Sequence, residues 1–242
     1  MWHLVLALGM VLAPSFALSA EIRFATEPYP PFSFQNAEGK ADGAGVKQVE
    51  AVMKAVGADI GYSIEVMPWA RALALAEARP DHCVFATART PEREARFQWV
   101  VPLLRDINVL VARQGSSVTA TRLEEATGFT VGTQREDYSE ALLRNAGFTK
   151  IDLSASFDIT LAKLLGQRIE LMAMSLPVYQ KLLRDNVPVR LLTTLSAQDL
   201  GIACNKDIDT QLIARMQKAL DALIASGEQA RIQQSFGVPP VR

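Results

Sequence analysis

Glu21-Ile22-Arg23-Phe24-Ala25-Thr26-Glu27-Pro28-Tyr29-Pro30-Pro31-Phe32-Ser33-Phe34 is the stretch from which the fold is read. Residues 21–25 alternate charged and apolar side chains, the period of a strand with one buried face. Pro28, Pro30 and Pro31 then stop the strand, because each fixes its own φ and removes a backbone donor. The result is a strand that runs into a stiffened loop carrying an acid, Glu27, and two aromatics, Tyr29 and Phe32.

Upstream of this stretch, Leu4 to Ala20 is almost wholly apolar, contains Pro14 and ends in the small residues Ala17-Leu18-Ser19-Ala20. Residues 1–20 therefore read as a secretory signal peptide, too short for a comfortable membrane span. The charged start of the segment is thin, with only the Met1 amine and His3, and an uncleaved anchor is the rival reading. No Cys follows the apolar run, so lipid attachment is not expected. The mature chain is expected in the periplasm.

Downstream, strand and helix patterns alternate. Val46, Val49, Val52, Met53 and Val56 have helical spacing, Tyr62 to Met67 alternates as a strand, and Trp69 to Ala78 is a helix stopped by Pro80. Cys83 to Ala86, Ile107 to Ala112, Phe129 to Gly132, Ile151 to Leu153, Glu170 to Met174, Val189 to Leu192 and Leu200 to Ala203 read as further strands, separated by short helices. Asp209 to Ala225 is a long amphipathic helix before Gly227. Such alternation predicts α/β layers with mainly parallel strands. The 242 residues are 49% hydrophobic, enough for a sizeable core, and a net charge of -1 gives no global attraction to nucleic acid or an anionic membrane.

The ordered motifs resemble the periplasmic solute-binding proteins of family 3, the polar amino-acid-binding type. The blocks are Ala25 to Phe34 with Glu38-Gly39-Lys40 and Gly43; Thr90-Pro91-Glu92-Arg93 with Phe97 and Pro102; Val131-Gly132; Arg168-Ile169-Glu170 with Pro177; and Leu200 to Ala203 with Lys206 and Asp207. The resemblance implies a two-lobed, type II periplasmic-binding-protein fold with two crossover strands, placed near Arg105 to Asn108 and Thr194 to Ala197. Lobe 1 is then residues 21–105 and 196–242, and lobe 2 residues 106–195. It further implies a small-molecule ligand held between the lobes, delivery to a membrane ABC permease, and a monomer.

By the same resemblance Arg93 grips a ligand carboxylate, a task that suits the planar two-donor fork of a guanidinium. Glu27 and Tyr29 wall the cleft from the stiff loop, Trp69 and Arg71 reach it from a helix start, and Thr87 and Arg89 precede the Thr-Pro-Glu-Arg block. The other lobe supplies Arg135, Asp137 and Tyr138. The sequence departs from the family pattern in three places. Glu136-Asp137 stands where Gly-Thr is usual, Phe85-Ala86-Thr87-Ala88 replaces small polar residues, and Ser175 stands where amino-acid binders carry the Asp that pairs with the ligand ammonium. A neutral hydroxyl cannot supply that charge. The family topology puts Cys83 and Cys204 on strands of one lobe, where they either bridge or remain two buried thiols.

The mature chain has a single histidine, His82, and lacks phosphate-loop, dinucleotide and cysteine-cluster patterns. No metal or cofactor is expected, and binding without catalysis is the reading. Two alternatives remain: a cleft-based dehydratase of the cyclohexadienyl type, with Glu27 or Asp137 as general acid, and a sensory ligand-binding module.

Overall fold

A computed structural model describes residues 21–239; the expected signal peptide lies outside them. Strand β1 (Glu21–Thr26) leads through the proline loop to the short pair β2 (Phe34–Gln35) and β3 (Ala41–Asp42), then to helix α1 (Ala44–Val56). Next come β4 (Gly61–Val66), α2 (Trp69–Ala78), β5 (His82–Ala88), α3 (Pro91–Glu94) and β6 (Gln98–Arg113). After β6 the chain forms α4 (Leu123–Ala126), β7 (Val131–Gln134), α5 (Tyr138–Asn145), β8 (Ile151–Ser154), α6 (Phe157–Leu165), β9 (Leu171–Ser175) and α7 (Leu176–Arg184). It returns through β10 (Val189–Cys204) and ends in α8 (Thr210–Ala225) and α9 (Glu228–Ser235).

The sheet order is β4-β1-β5-β10-β6-β9-β7-β8. Pairs β1–β4, β1–β5, β7–β8 and β7–β9 are parallel, as the alternation of strands and helices requires. The centre departs from the parallel expectation, because β6 leaves one group of strands and β10 returns, so β10–β5, β10–β6 and β6–β9 are antiparallel. Each of β6 and β10 is a continuous strand of 16 residues. The apolar runs Val189 to Leu192 and Leu200 to Ala203, read separately from sequence, are the two ends of β10. Their polar middle is a strand because it pairs with β6: Ser196 faces Asn108 and Ala197 faces Ile107. Pro102 sits inside β6 where the ladder slips between Leu200 and Ile202, a place that needs no proline donor. The Gln217 side chain takes over there, accepting from Val101 N at 2.8 Å and donating to Val101 O at 2.7 Å.

Side-chain alternation sorts the core into layers. Phe24, Cys83, Phe85 and Cys204 point into one cluster with Val46 and Val49 of α1 and Met216 and Leu220 of α8. Their neighbours Ala25, Val84 and Ala203 point the other way, to Trp69, Ala72, Leu73 and Ala76 of α2. Beyond β6 the same rule holds, with Leu110, Val131, Leu171 and Ala173 packing on Leu143 and Phe148. Cys83 and Cys204 lie directly opposite in the β5–β10 ladder and form a disulfide across a separation of 121 residues.

The proline loop is seated by Gly43, whose φ of 122° belongs to the glycine region. A Cβ there would lie 2.5 Å from the Phe32 carbonyl oxygen, so only glycine lets α1 start against the loop.

Candidate functional site

The two strand groups face each other across a cavity of about 40 Å³. From the β1 side come Glu27 and Tyr29 of the proline loop, Trp69 at the start of α2, and Arg93 of α3. From beyond β6 come Gln134, at the end of β7, and Asp137 and Tyr138, at the start of α5. Asp106 and Asn108 of β6 form the floor between them. Strand ends and helix starts build both walls, the usual placement of sites in α/β folds.

Arg93 is 5% exposed. Its Nη2 donates to the Glu136 carbonyl at 2.5 Å, and its guanidinium carbon lies 5.5 Å from the centre of the Trp69 ring. Trp69 Nε1 donates to the same carbonyl at 2.9 Å, so one main-chain oxygen joins two side chains from the opposite wall. Glu136 has φ 63°, the left-handed region that non-glycine residues enter at a cost. A second non-glycine residue of this kind, Ala86 at φ 56°, lines the cavity. It is the extra residue of a bulge in β5, since Gly201 pairs with Thr87 and Ile202 with Phe85.

Two acids, the half-buried Glu27 and the buried Asp106, line the cavity with the guanidinium. Burial, and then the charge of Asp137, push Glu27 up to about 8; a bond from Gln134 Nε2 at 2.8 Å and the charge of Arg93 oppose the rise only in part. Burial also raises Asp106, to about 6, against hydrogen bonds from Ser175 and Tyr138. Tyr138 donates to Asp106 Oδ2 at 2.7 Å, and Ser175 Oγ donates to Oδ1. Asn108 Nδ2 donates to the Tyr138 oxygen at 3.2 Å, and Ser175 N donates to the Tyr29 oxygen at 2.9 Å. Burial and the nearby Asp106 charge hold both phenols well above their ordinary range. The Tyr29 ring meets Phe157 edge-on at 5.3 Å, closing the far end. Asp137 caps α5 by accepting from Ser139 N at 2.7 Å.

Of the residues singled out from sequence, Glu27, Tyr29, Trp69, Arg93, Asp137 and Tyr138 line the cavity together. Arg71, Arg89 and Arg135 do not. Each is exposed, and Arg89 is held outside by Glu94, with Nη2 to Oε1 at 2.6 Å, and lies 5.9 Å from the centre of the Trp99 ring. Thr87 is fully buried behind the wall, and Ser175 acts through Asp106 and Tyr29 rather than as a lining residue. Sequence reasoning missed Asp106, Asn108, Gln134 and the Glu136 carbonyl. The first two sit in the proposed crossing segment, and their polarity inside an otherwise apolar strand was the available signal. His82 pairs with Asp81, Nδ1 to Oδ1 at 2.7 Å, and is no part of the site.

The profile of the bacterial extracellular solute-binding proteins, family 3, matches residues 22–239. The chain belongs to that family. No curated protein matches the sequence. Among solved structures, an ancestral arginine-binding protein bound to arginine superposes with TM-score 0.80 at 21% identity, covering 91% of this chain and 100% of that one. An ancestral amino-acid-binding protein, AncCDT-1, a precursor of cyclohexadienyl dehydratase, gives 0.78 at 17%, covering 90% and 95%. A histidine kinase sensor domain with similarity to periplasmic binding proteins gives 0.82 at 19%, covering 91% and 97%. At such identities the likeness establishes the architecture, the two-lobed periplasmic-binding-protein fold of family 3. Among the described residues, no helix is long and apolar enough to cross a membrane.

Proposed function

We propose that this family 3 protein captures a small carboxylate-bearing solute between two lobes in the periplasm, without chemical change, and delivers it as a monomer to a membrane ABC importer. Lobe 1 comprises residues 21–105 and 196–242, and lobe 2 residues 106–195, with β6 and β10 as the connecting ribbon. The observation that carries the reading is Arg93: a buried guanidinium on the cavity wall, oriented by an indole and by the carbonyls of Glu136 and Ala88, with N–H donors beyond those contacts. A cavity of about 40 Å³ is too small for an amino acid, so the two walls must part to admit a solute. Hinge motion about a two-stranded ribbon meets that need.

The test is a thermal-shift screen of wild type and Arg93→Ala against a metabolite library. Carboxylate-bearing hits are expected to stabilise wild type and to lose at least about 100-fold in affinity in the variant, the loss typical of removing one partner of a buried charge pair. Equal binding by Arg93→Ala would end the carboxylate assignment.

One observation favours a second reading. With a pKa of about 8, Glu27 carries a proton at neutral pH on the cavity wall, a condition a general acid requires. A dehydratase would turn over prephenate-like cyclic carboxylates, whereas a binding protein returns them unchanged, and product analysis by liquid chromatography separates the two.

A further inference from the structure

Position 175 holds a serine where the resembled amino-acid binders place the acid for the ligand ammonium, yet acids outnumber cations in the cavity lining. Among the described residues its lining has one cation, Arg93, against the acids Asp106 and Asp137, with Glu27 a third carboxyl that keeps its proton at neutral pH. A ligand that brought only a carboxylate would satisfy Arg93 and leave that excess uncompensated. We propose that Asp106 and Asn108, successive inward positions of β6, receive an ammonium group of the solute, taking over the task that Ser175 cannot perform.

Strand geometry sets up the pair. Residues two apart on a strand share a face, so Asp106 and Asn108 look the same way, and both line the cavity while only 3% exposed. The β6–β9 ladder puts Asn108 opposite Ser175, so Asp106 lies one inward step from the position where the acid is missing and hydrogen-bonds the serine hydroxyl directly. The acid has changed strand and stayed in the same corner of the site.

Hydrogen-bond accounting identifies what is lacking there. The Tyr138 hydroxyl spends its proton on Asp106 Oδ2, so it can only accept from Asn108, which fixes the Asn108 amide with its NH₂ toward the phenol. Asn108 Oδ1 is therefore an acceptor, and it is buried without a partner among the described residues. A buried acceptor left unpaired is costly, and native sites leave few of them. Asp106 accepts from Tyr138, from Ser175 and from the Ile107 backbone N–H, and keeps about one further lone-pair site. The unmet demand is for N–H donors and positive charge, which an ammonium supplies and a second carboxylate or an apolar group does not. The raised pKa of Asp106 agrees, since burial without a cationic partner disfavours its charged form.

This inference rests on the carboxylate reading of Arg93 for the other end of the solute, and the experiment separates the two. Isothermal calorimetry would compare the common L-amino acids with their 2-hydroxy and des-amino counterparts, and with putrescine and agmatine, which lack a carboxylate. At least one amino acid is expected to bind wild type about 100-fold or more tightly than its 2-hydroxy counterpart, and Asp106→Asn, checked for folding by circular dichroism, should abolish that preference. Wild type that binds the 2-hydroxy or des-amino acids as tightly as the amino acids, or that binds no ammonium-bearing probe, overturns the proposal. So does a folded Asp106→Asn that keeps the preference. Putrescine or agmatine binding as tightly as any amino acid would support the ammonium receptor and remove the carboxylate reading instead. The wild-type comparison decides the matter even where the variant does not fold.

Discussion

Glu27 combines a buried carboxyl, a neighbouring acid and an amide donor, and the balance keeps its proton on well above the ordinary range for a glutamate. The native state therefore binds this proton more tightly than the unfolded chain, where the pKa is 4.5. Stability from that proton is fully present below pH 4.5 and is lost as pH rises to about 8. Asp106 acts in the same direction but only up to about 6. The melting temperature of the ligand-free protein should thus fall between pH 6 and pH 8, and Glu27→Gln should flatten that slope while keeping a partner for Gln134. Calorimetric melts across this interval check it, and an unchanged slope in the variant would contradict the assignment. The same residue shows how far side-chain reading reached. Glu27, Tyr29 and Arg93 were visible because a motif marks them. The partner of Arg93 was not, because it is a carbonyl, and a carbonyl at Glu136 looks like any other until the backbone there turns left-handed. Arg71, Arg89 and Arg135 carried the right charge for the site, but charge alone does not say which way a surface side chain turns.

At the level of elements, the periodic helices and the outer parallel strands were legible because their apolar residues repeat with local spacing. The middles of β6 and β10 show no such spacing: the crossover strands at Arg105 to Asn108 and Thr194 to Ala197 were placed by the family resemblance alone, because these polar or mixed segments are strands through cross-strand pairing. Asp106 was hidden for the same reason: its neighbourhood with Ser175 follows from a cross-strand register, which one chain segment does not display. The β5–β10 ladder also carries the disulfide, and here the expected alternative of a bridge resolves to a covalent tie between adjacent strands. Because the tie closes a long loop, the double change Cys83→Ala with Cys204→Ala should lower stability by roughly 2–4 kcal/mol, a drop of about 5–15 °C in melting temperature for a chain of this size. Solute affinity should survive, as neither cysteine lines the cavity. A melting temperature unchanged from the oxidised wild type would show that the tie contributes nothing.

For the whole molecule, the cavity is bridged by contacts that run from wall to wall: Trp69 and Arg93 to Glu136, Glu27 to Gln134, and Tyr29 to Ser175. Separating the walls breaks all of them, and a solute that bridges Arg93 and the β6 floor restores the closure. Because the walls must part to admit a solute, ligand-free protein that populates the parted state in solution should show a larger radius of gyration by small-angle scattering than after addition of a saturating hit from the screen, with Trp69 fluorescence changing in step. A radius that stays constant through saturation would argue against closure around the solute.

Cys83 and Cys204 also bracket in sequence everything from α3 to the end of β10, including all of β7, β8 and β9. A protease cut anywhere inside that bracket would leave two polypeptides still fastened to each other. Such a clipped molecule should migrate as one band on a denaturing gel and separate into two only when a reductant is added.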